Sequence, residues 1–393
     1  LSACAEPDPA EYKLPAKTET CGGAALTSRY IVHFQTGKWA YIENSDRENF
    51  KENFVRPQVD NIDFIEYDQK IFLEAVTPVA PSRGIDNWGI SAIDAPAAWQ
   101  KSFRGEGVSV AVIDSGVDIT HPQLASQIDF NFGESGDKQN NGLDDDGNGL
   151  IDDYAGYNFL DNSPDITDDI QHGTHVAGVI AAAHNDSVHK TGYTQGVAPS
   201  AKIIPIKFIG ENGGSLSSAL KGIDYAIQRG AKVINASWGG TGCSQSLRQK
   251  VSEASAQNVL FVVAAGNSGN NLDLSPEYPA AFNLPLQITV GAIRSSFNMD
   301  SYSNYSRSLV HIFAPGSLIV STVPGGGYVG LSGTSMATPF VAGASAILLS
   351  AKHEMSLSSI RQALFNSAKT DSNYLNLSRG RLHLGQALDA IGL

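Results

Sequence analysis

Residues 108–118 read "VSVAVIDSGVD", an apolar run that ends at an aspartate followed by Ser and Gly. An unbroken apolar run bounded by turn residues is typical of a β-strand buried on both faces. Similar runs recur along the chain: "KIIPIKF" (202–208), "KVINAS" (232–237), "VLFVVAAG" (259–266) and "LQITVGA" (286–292). Amphipathic stretches at 215–230 and 246–258 lie between them. This alternation predicts a three-layer α/β fold, with a mainly parallel sheet covered by helices on both faces.

The composition limits the possible partners. The 393 residues are 42% hydrophobic and 17% charged, which is ordinary for a globular protein with a large core. There are 27 basic and 40 acidic residues, a net charge of −13 that argues against nucleic acid or an anionic membrane as the partner. The sequence shows no apolar run that approaches the length of a transmembrane segment.

The chain divides into four parts by pattern. Residues 1–27 are polar and rich in Pro, Glu and Lys, which predicts a flexible leader. A strand at 28–35, a helix at 43–56 and two strands at 61–68 and 70–76 predict a small α+β unit over 28–76. Two prolines and a glycine in 77–84 indicate a linker. Residues 85–393 then form the main α/β domain.

The three cysteines, Cys4, Cys21 and Cys243, are too few for a disulfide framework. Cys21 and Cys243 pair under one interpretation and remain free thiols under another. The first four residues, "LSAC", resemble the end of a bacterial lipoprotein signal, which predicts a lipid anchor on Cys4.

Four polar side chains stand where a parallel sheet gathers its ligands, beside the carboxyl ends of strands. Asp114 follows the first strand, and Asn267 follows "VLFVVAAG". His172 precedes a run of small residues, and Ser335 lies in "GTSMATP" ahead of a buried helix. A serine hydroxyl is a weak nucleophile that needs a base and an orienting acid, and these residues supply both.

The blocks "AVIDSGVD", "HGTHVAG", "AAGNSG" and "GTSMATP" resemble, in this order, the signature blocks of the subtilisin-like serine proteases, the subtilases. The resemblance implies a serine endopeptidase acting on protein or peptide substrates. Ser335 would be the nucleophile, His172 the base, Asp114 the orienting acid and Asn267 an oxyanion-hole donor. His175 is interpreted as structural, because the base of the family is the first histidine of its block.

The resemblance also implies where the substrate binds, as an extended strand between two edges. It assigns one edge to "GGS" and the other to "SWGG", namely Gly213, Gly214, Ser215, Ser237, Trp238, Gly239 and Gly240. Glu277 falls near the floor of the primary specificity pocket. Residues 28–76 resemble the propeptide of the family, an intramolecular chaperone and inhibitor that is cut away. A permanent accessory domain is the alternative. The resemblance also implies that the enzyme acts in the extracellular space or the cell envelope.

An acidic insertion separates the Asp114 and His172 blocks, with eleven acidic residues and one lysine between 134 and 169. Its "DDDGNG" (144–149) resembles a calcium loop, with Asp144, Asp146, Asn148 and Asp152 as the predicted ligands. A solvated acidic loop is the alternative. The usual calcium site of the family uses an aspartate in His-Pro-Asp, where this chain has Gln123, so that site is expected to be weak.

Two rival functions fit part of the pattern. "GTSMA" is one residue away from the G-x-S-x-G elbow of α/β-hydrolase esterases. In that family the acid and the histidine follow the serine, whereas here Asp114 and His172 precede it. A binding module that has lost activity is the second rival, and it is disfavoured because all four chemical groups are retained.

Overall fold

The computed structural model describes residues 8–15, 23–73, 78–79, 88–184, 194–370, 374 and 377–393. Cys4, Cys21 and most of the predicted linker lie outside these residues. The described chain forms an N-terminal unit, residues 8–73, and a main unit, residues 88–393.

The N-terminal unit is a three-stranded antiparallel sheet with helices on one face. Its elements are α1 (Pro9–Lys13), β1 (Ala24–Phe34), β2 (Trp39–Glu43), α2 (Arg47–Phe50) and β3 (Ile62–Ile71). A π-helical turn (Lys51–Val55) and a 3-10 helix (Arg56–Asn61) continue α2. Because side chains alternate along a strand, Tyr30 and Val32 of β1 pack with Phe50, whereas Ile31 points into the core of the main unit.

The N-terminal unit differs from the sequence prediction at three points. The single strand β3 covers the strand predicted at 61–68 and the start of the strand predicted at 70–76, of which residues 74–76 lie outside the described residues. Strand β2 was not predicted. The predicted leader, 1–27, contains α1 and the start of β1. Asp8 caps α1 by accepting a hydrogen bond from the Ala10 N–H, and Ala10 and Leu14 are buried in the core of the unit. Burial of these two apolar side chains stabilises a segment whose composition is otherwise polar.

The main unit is built on a seven-stranded parallel sheet, which confirms the predicted three-layer α/β fold. Its strands in chain order are β4 (Ser109–Asp114), β5 (Tyr157–Asn158), β6 (Lys202–Lys207), β9 (Val233–Ala236), β10 (Leu260–Ala264), β11 (Gln287–Ile293) and β12 (Ile312–Pro315). Their spatial order is β12-β11-β10-β9-β4-β6-β5, and every neighbouring pair is parallel. The carboxyl ends of these strands therefore share one edge.

Helices cover both faces of this sheet. They are α3 (Trp88–Ala92), α4 (Ala95–Gln100), α5 (His172–Ala181), α6 (Leu216–Gln228), α7 (Gln245–Ala256), α8 (Thr334–Ala351), α9 (Leu357–Asn366) and α10 (Leu384–Ala390). Val110 and Val112 of β4 pack on the face with α5 and α8, and Ala111 and Ile113 pack on the face with α6 and α7. Burial on both faces explains why these strands are continuous apolar runs.

Two strand pairs complete the main unit, and the first of them extends the sheet of the N-terminal unit from three strands to five. The short strands β7 (Ile209–Gly210) and β8 (Gly213–Ser215) pair with each other, and β8 also pairs with β3 of the N-terminal unit. A hairpin of β13 (Ile319–Val323) and β14 (Gly327–Leu331) leads into α8. Short 3-10 helices occur at Ala125–Gln127, Phe132–Glu134, Gly136–Lys138 and Ala280–Phe282.

Helix α8 is long and apolar enough to cross a membrane, although the sequence showed no such run. The relevant 18-residue window is 89% buried inside the fold, as expected for the core helix of a soluble domain. Its apolarity is explained by contacts with β9, β10, β11 and β12.

Candidate active site

Asp114 and His172 form a buried acid–imidazole pair. Asp114 ends β4 and His172 begins α5, and the His172 Nδ1–H donates to Asp114 Oδ1 at 2.7 Å. The exposed fractions are 0% for Asp114 and 3% for His172. Burial alone would lower the pKa of His172, but the charge and hydrogen bond of Asp114 raise this pKa above its usual value. The pair is therefore built to stabilise a proton on the imidazole.

Glycines allow α5 to approach the strand that carries Asp114. A Cβ on Gly173 would lie 2.2 Å from the carbonyl oxygen of Gly116, closer than real atoms approach. Gly116 itself has a φ of +110°, in the left-handed region that favours glycine. His172 therefore reaches Asp114 only because the next residue has no side chain.

Asp168 also holds the start of α5, and sequence reasoning missed this residue. Its carboxylate accepts hydrogen bonds from the Ser115 hydroxyl at 2.8 Å and from the Thr174 N–H at 2.8 Å. The Ser115 hydroxyl in turn accepts from the Gly173 N–H at 2.9 Å. Burial raises the pKa of Asp168, against the opposing effect of these donors. The signal for this residue was its position shortly before the histidine block, inside the insertion that was interpreted as a calcium loop or a solvated acidic loop.

Ser335 lies in the first turn of α8 with 7% of its surface exposed. Its hydroxyl donates to the Ser237 carbonyl at 3.0 Å, and the Ser237 hydroxyl donates to the Ser335 carbonyl at 2.8 Å. Pro339, four residues further along α8, has no N–H for that carbonyl. Ser237 therefore takes the place of the missing helical donor and fixes the turn that carries Ser335.

Asn267 follows β10 and faces the same turn. Its side-chain carbonyl accepts from the Thr334 N–H at 2.7 Å and from the Thr334 hydroxyl at 3.0 Å. These bonds fix the orientation of the amide and place Nδ2 on the side of Gly333, 3.4 Å from where a Cβ would stand there. An amide donor and the first turn of α8 therefore border one pocket, together with Ser335.

His175, in contrast, is isolated from this pocket. It is fully buried, and its Nε2–H donates to the Ile319 carbonyl at 2.9 Å. Burial lowers the pKa of His175 to about 3, so the ring stays neutral at physiological pH. Its bond to β13 is a packing contact, in line with the structural interpretation.

Glu277 lines the pocket beside Ser335. Only 6% of its surface is exposed, and its Oε2 lies 2.1 Å from where a Cβ of Gly266 would stand. Among the described residues no Lys or Arg forms an ion pair with it. The carboxylate therefore supplies negative charge at the inner wall of a small pocket.

The two predicted substrate edges both lie beside the end of β3. Gly213, Gly214 and Ser215 form β8, and Trp238, Gly239 and Gly240 line a cavity of about 260 Å³ nearby. The end of β3 pairs with β8 in antiparallel register, Lys70 opposite Ser215 and Ile71 opposite Gly214. A segment of the same chain thus already pairs with the edge predicted for substrate.

Val79, which follows the undescribed residues 74–77, lies against a different strand. Its N–H and carbonyl form two hydrogen bonds with Gly330 of β14, both at 2.9 Å. Gly330 precedes Ser335 by five residues. The chain therefore passes from β8 at Ile71 to β14 at Val79.

The acidic insertion gathers three carboxylates. Glu134, Asp144 and Asp146 have oxygens that all lie within 4.8 Å of one another. Glu134 is fully buried, and its Oε2 has no hydrogen-bond partner among the described residues. Oxygens this close fit one calcium ion, whose ligands lie about 2.3–2.6 Å away. The sequence missed Glu134 because it precedes "DDDGNG" by ten residues.

The other two predicted ligands lie differently. Asp152 accepts hydrogen bonds from the backbone N–H groups of Asn141 and Gly142. The Asn148 amide donates to Asp146 and to Asp153, and its oxygen accepts from the Leu150 N–H. The structure thus brings Asp144 and Asp146 together with Glu134, whereas Asp152 holds a turn of the loop.

Gln123 occupies the position where the subtilase resemblance implies a metal-binding aspartate. Its Nε2 donates to the carbonyls of Ala183 at 2.7 Å and Thr194 at 2.8 Å, and its Oε1 accepts from the Tyr328 hydroxyl at 2.7 Å. The side chain is fully buried. Carbonyl oxygens that would suit a cation are here bound by an amide donor, so these residues do not fit calcium.

Comparison with known proteins agrees with this geometry. The model of the subtilase family matches residues 105–381. An alkaline protease of Shouchella clausii is 37% identical over 311 residues, which cover 79% of this chain and 72% of that protein. Thermitase of Thermoactinomyces vulgaris is 36% identical over 79% of this chain and 99% of its own. Subtilisin Savinase of Lederbergia lenta is 38% identical over 72% of this chain and 90% of its own.

The family match spans the strands and helices that carry Asp114, His172, Asn267 and Ser335. The order of these residues and the acid–imidazole pair exclude the esterase alternative, in which the acid and base follow the serine. The chain belongs to the subtilase family and is a serine endopeptidase.

Proposed function

We propose that Ser335, His172 and Asp114 form the catalytic triad of this enzyme. The observation that carries the proposal is the buried Asp114–His172 hydrogen bond at the same edge of the sheet as Ser335. Ser335 Oγ attacks the scissile carbonyl, and His172 Nε2 accepts its proton and then gives it to the leaving amine. Asp114 holds the imidazole in the required tautomer. For the attack, the Ser335 hydroxyl turns from the Ser237 carbonyl to His172.

The oxyanion formed in this attack would be bound by Asn267 Nδ2 and by the backbone N–H of Ser335. Both donors are fixed before the reaction, Asn267 by Thr334 and Ser335 by Ser237. Preorganised donors are effective because they do not have to reorient as the negative charge develops.

Labelling with a fluorophosphonate tests the nucleophile and separates an active protease from an inactive binding module. We expect Ser335→Ala to abolish labelling and to reduce peptide hydrolysis about 10⁶-fold, the loss typical of removing such a nucleophile. Ser345→Ala is the matched control, because that serine is buried in the same helix and its hydroxyl donates to the Val341 carbonyl. Undiminished hydrolysis by Ser335→Ala would refute the assignment.

We propose that residues 28–76, extended by α1 and the start of β1, act as a propeptide, a chaperone and inhibitor of the main unit. Its β3 carries two carboxylates on one face, and each caps a helix of the main unit. Glu66 accepts from the N–H groups of Gln245 and Ser246 at the start of α7. Asp68 accepts from the Ser217 N–H and hydroxyl at the start of α6. Carboxylates stabilise helix N-termini, where N–H groups lack partners.

The chain leaving β3 supports the inhibitory role. Ile71 pairs with the predicted substrate edge, and Val79 pairs with β14 just before Ser335. We expect the enzyme to cut itself within 74–86, and Ser335→Ala to accumulate the uncut chain. Mass spectrometry of the new N-terminus measures this. Active enzyme that retains an unbroken chain through this segment would favour the permanent accessory domain.

We propose that the acidic insertion binds a structural calcium ion through Glu134, Asp144 and Asp146. Calcium would neutralise carboxylates that otherwise repel one another, and one of these, Glu134, is buried with an unpaired oxygen. Chelation should lower the melting temperature by mass action. Glu134→Gln should remove most of the calcium response, whereas Asp137→Asn, in the same insertion but outside the cluster, should keep it. A melting temperature that changes with neither calcium nor chelator would contradict the proposal and favour a solvated acidic loop.

We propose that Glu277 favours a basic residue on the amino side of the cut bond. Its carboxylate is nearly buried in the pocket beside Ser335, where a substrate cation would pair with it. A peptide-library profile should favour Lys and Arg, and Glu277→Gln should reduce that preference. A profile that favours large apolar residues and is unchanged in Glu277→Gln would contradict the proposal.

We propose that the enzyme works outside the cytoplasm, in the extracellular space or the cell envelope. The supporting observation is that Cys243 is disulfide-bonded, since disulfides persist mainly in oxidising compartments. We also propose the lipid anchor on Cys4, which rests on the sequence "LSAC" alone. Fractionation of expressing cells, with detection of a lipid-modified N-terminal peptide, tests both.

A further inference from the structure

Cys243 is disulfide-bonded, and the chain has only two other cysteines, Cys4 and Cys21. Both precede β1 in the sequence, so either pairing joins the chain ahead of β1 to the main unit. We propose that this disulfide keeps the N-terminal unit covalently attached after the chain is cut, and that reduction by a dithiol releases the active main unit. The inference rests on the proposed propeptide role of the N-terminal unit.

Contacts around Cys243 favour Cys21 as the partner. A Cβ on Gly23 would lie 3.2 Å from the Cα of Gly242, so the start of β1 touches the residue next to Cys243. The Gln69 side chain of β3 donates to the Cys243 carbonyl at 3.1 Å. Cys21 is two residues from Gly23, a span of about 7 Å at full extension. Cys4, in contrast, is 19 residues from Gly23 in the sequence.

The disulfide stands beside the contacts by which β3 holds the main unit. Cys243 immediately precedes Ser244, the N-cap of α7, whose hydroxyl donates to Glu66 at 2.9 Å. Gln69 and Glu66 of β3 thus bind the carbonyl of Cys243 and the residue that follows it. Reduction would remove the covalent bond while leaving these hydrogen bonds in place.

The tether changes the consequence of cutting. Without it, a cut N-terminal unit leaves by dilution, because only non-covalent contacts hold it. With it, the local concentration of the unit is on the order of 1 mM, as for other short linkers. An inhibitor with a micromolar dissociation constant would then occupy about 99.9% of the active sites. The cut chain therefore stays inhibited, and cutting alone does not activate it.

The release step is a thiol–disulfide exchange with a dithiol. One thiolate of the dithiol attacks a sulfur of the Cys243 disulfide, forming a mixed disulfide and releasing one cysteine thiolate, which takes up a proton. The second thiol of the dithiol then attacks the mixed disulfide and releases the other cysteine. The dithiol ends as a disulfide, having given two electrons and two protons. Cys243 is partly exposed and neighbours the cavity lined by Gly242 and Ser244, which gives the reductant access.

The proposal is tested on the full chain, expressed in an oxidising compartment. Proteolysis is first quenched with phenylmethylsulfonyl fluoride, and the chain is then run on a gel with and without reductant. We expect one band of full-length mass without reductant and two bands after dithiothreitol. Without the quench, hydrolysis of a small peptide substrate by freshly cut, diluted enzyme should rise at least about 10-fold on adding dithiothreitol. A non-reducing peptide map should show Cys243 linked to Cys21.

Single substitutions provide the controls. Cys243→Ser and Cys21→Ser should each separate into two pieces without reductant, and their activity should not respond to dithiothreitol. Cys4→Ser should behave as the unaltered chain. Cut enzyme whose pieces separate without reductant, or a map that shows Cys243 as a free thiol, overturns the tether alone. A chain that stays uncut under reducing conditions overturns the propeptide proposal and the tether together.

Discussion

Replacing Gln123 by alanine tests the inference that an amide takes the place of a metal ion. The substitution removes the donor to the carbonyls of Ala183 and Thr194, in a fully buried position. A buried polar group deprived of its partner costs about 1–3 kcal/mol. For two carbonyls, partly relieved by entering water, we expect a loss of about 3 kcal/mol in the free energy of unfolding.

A melting experiment measures this loss. At roughly 2–3 °C per kcal/mol for a domain of this size, the melting temperature should fall by about 6–9 °C. The Ser335→Ala background prevents self-digestion during heating. Calcium and chelator should give the same fall, because no ion is involved. Gln127→Ala is the matched control, since the side chain of that buried glutamine donates to the neighbouring Ser126 hydroxyl.

Gln123→Asp distinguishes the amide from a latent metal site. The carboxylate should repel the two carbonyl oxygens, so the variant should be least stable in chelator and should regain stability when calcium is added. The reasoning is refuted if Gln123→Ala melts within about 1 °C of its parent. It is equally refuted if, in the presence of chelator, the parent chain no longer melts at a higher temperature than Gln123→Ala.

Four further predictions concern the active site and the contacts of the N-terminal unit. Asp114 raises the pKa of His172 above the usual 6.5, and His172 must be neutral to act as the base. We therefore expect kcat/KM to fall with decreasing pH around a midpoint above 6.5. Asp114→Asn should lower that midpoint. The same shift stabilises the fold fully below pH 6.5, and this contribution is lost as pH rises through the folded-state pKa; melting curves of Ser335→Ala across this range measure it. Gly173→Ala should abolish activity, since its Cβ would collide with the Gly116 carbonyl; an active, normally folded variant would contradict the packing argument. Glu66→Gln should weaken inhibition by an added N-terminal unit about 5–30-fold, from loss of about 1–2 kcal/mol at a helix N-terminus, and an unchanged inhibition constant would show that this cap is dispensable.

The sequence predicted the elements that depend on local pattern. The strands of the parallel sheet were recognisable because burial on both faces requires continuous apolar runs, as in residues 108–113. The relation between Asp114 and His172 was predicted only through the family resemblance, because 58 residues separate them. No local pattern specifies such a contact.

The features that were missed depend on partners distant in sequence. Glu134 joins the carboxylate cluster because the insertion folds back on itself, which spacing does not reveal. Gln123 was expected to weaken a calcium site, but its bonds to Ala183 and Thr194 become evident only when the loop is placed in space. The single strand β3 was divided in two because polar residues at 68–70 resemble a turn, whereas their neighbours on β1 and β8 hold them in a sheet.

The pairing of Val79 with Gly330 has a consequence for the reversibility of self-cutting. If the chain is cut within 74–79, the new amino terminus remains beside the acyl-enzyme for as long as Val79 stays bound. An amine held there can attack the ester and restore the original peptide bond, because the reaction runs in both directions. In the described part of this segment, residues 78–79, two hydrogen bonds join Val79 to β14, and Val79 is 45% exposed. Release of Val79 from β14, rather than bond cleavage, would then be the event that commits the zymogen to maturation.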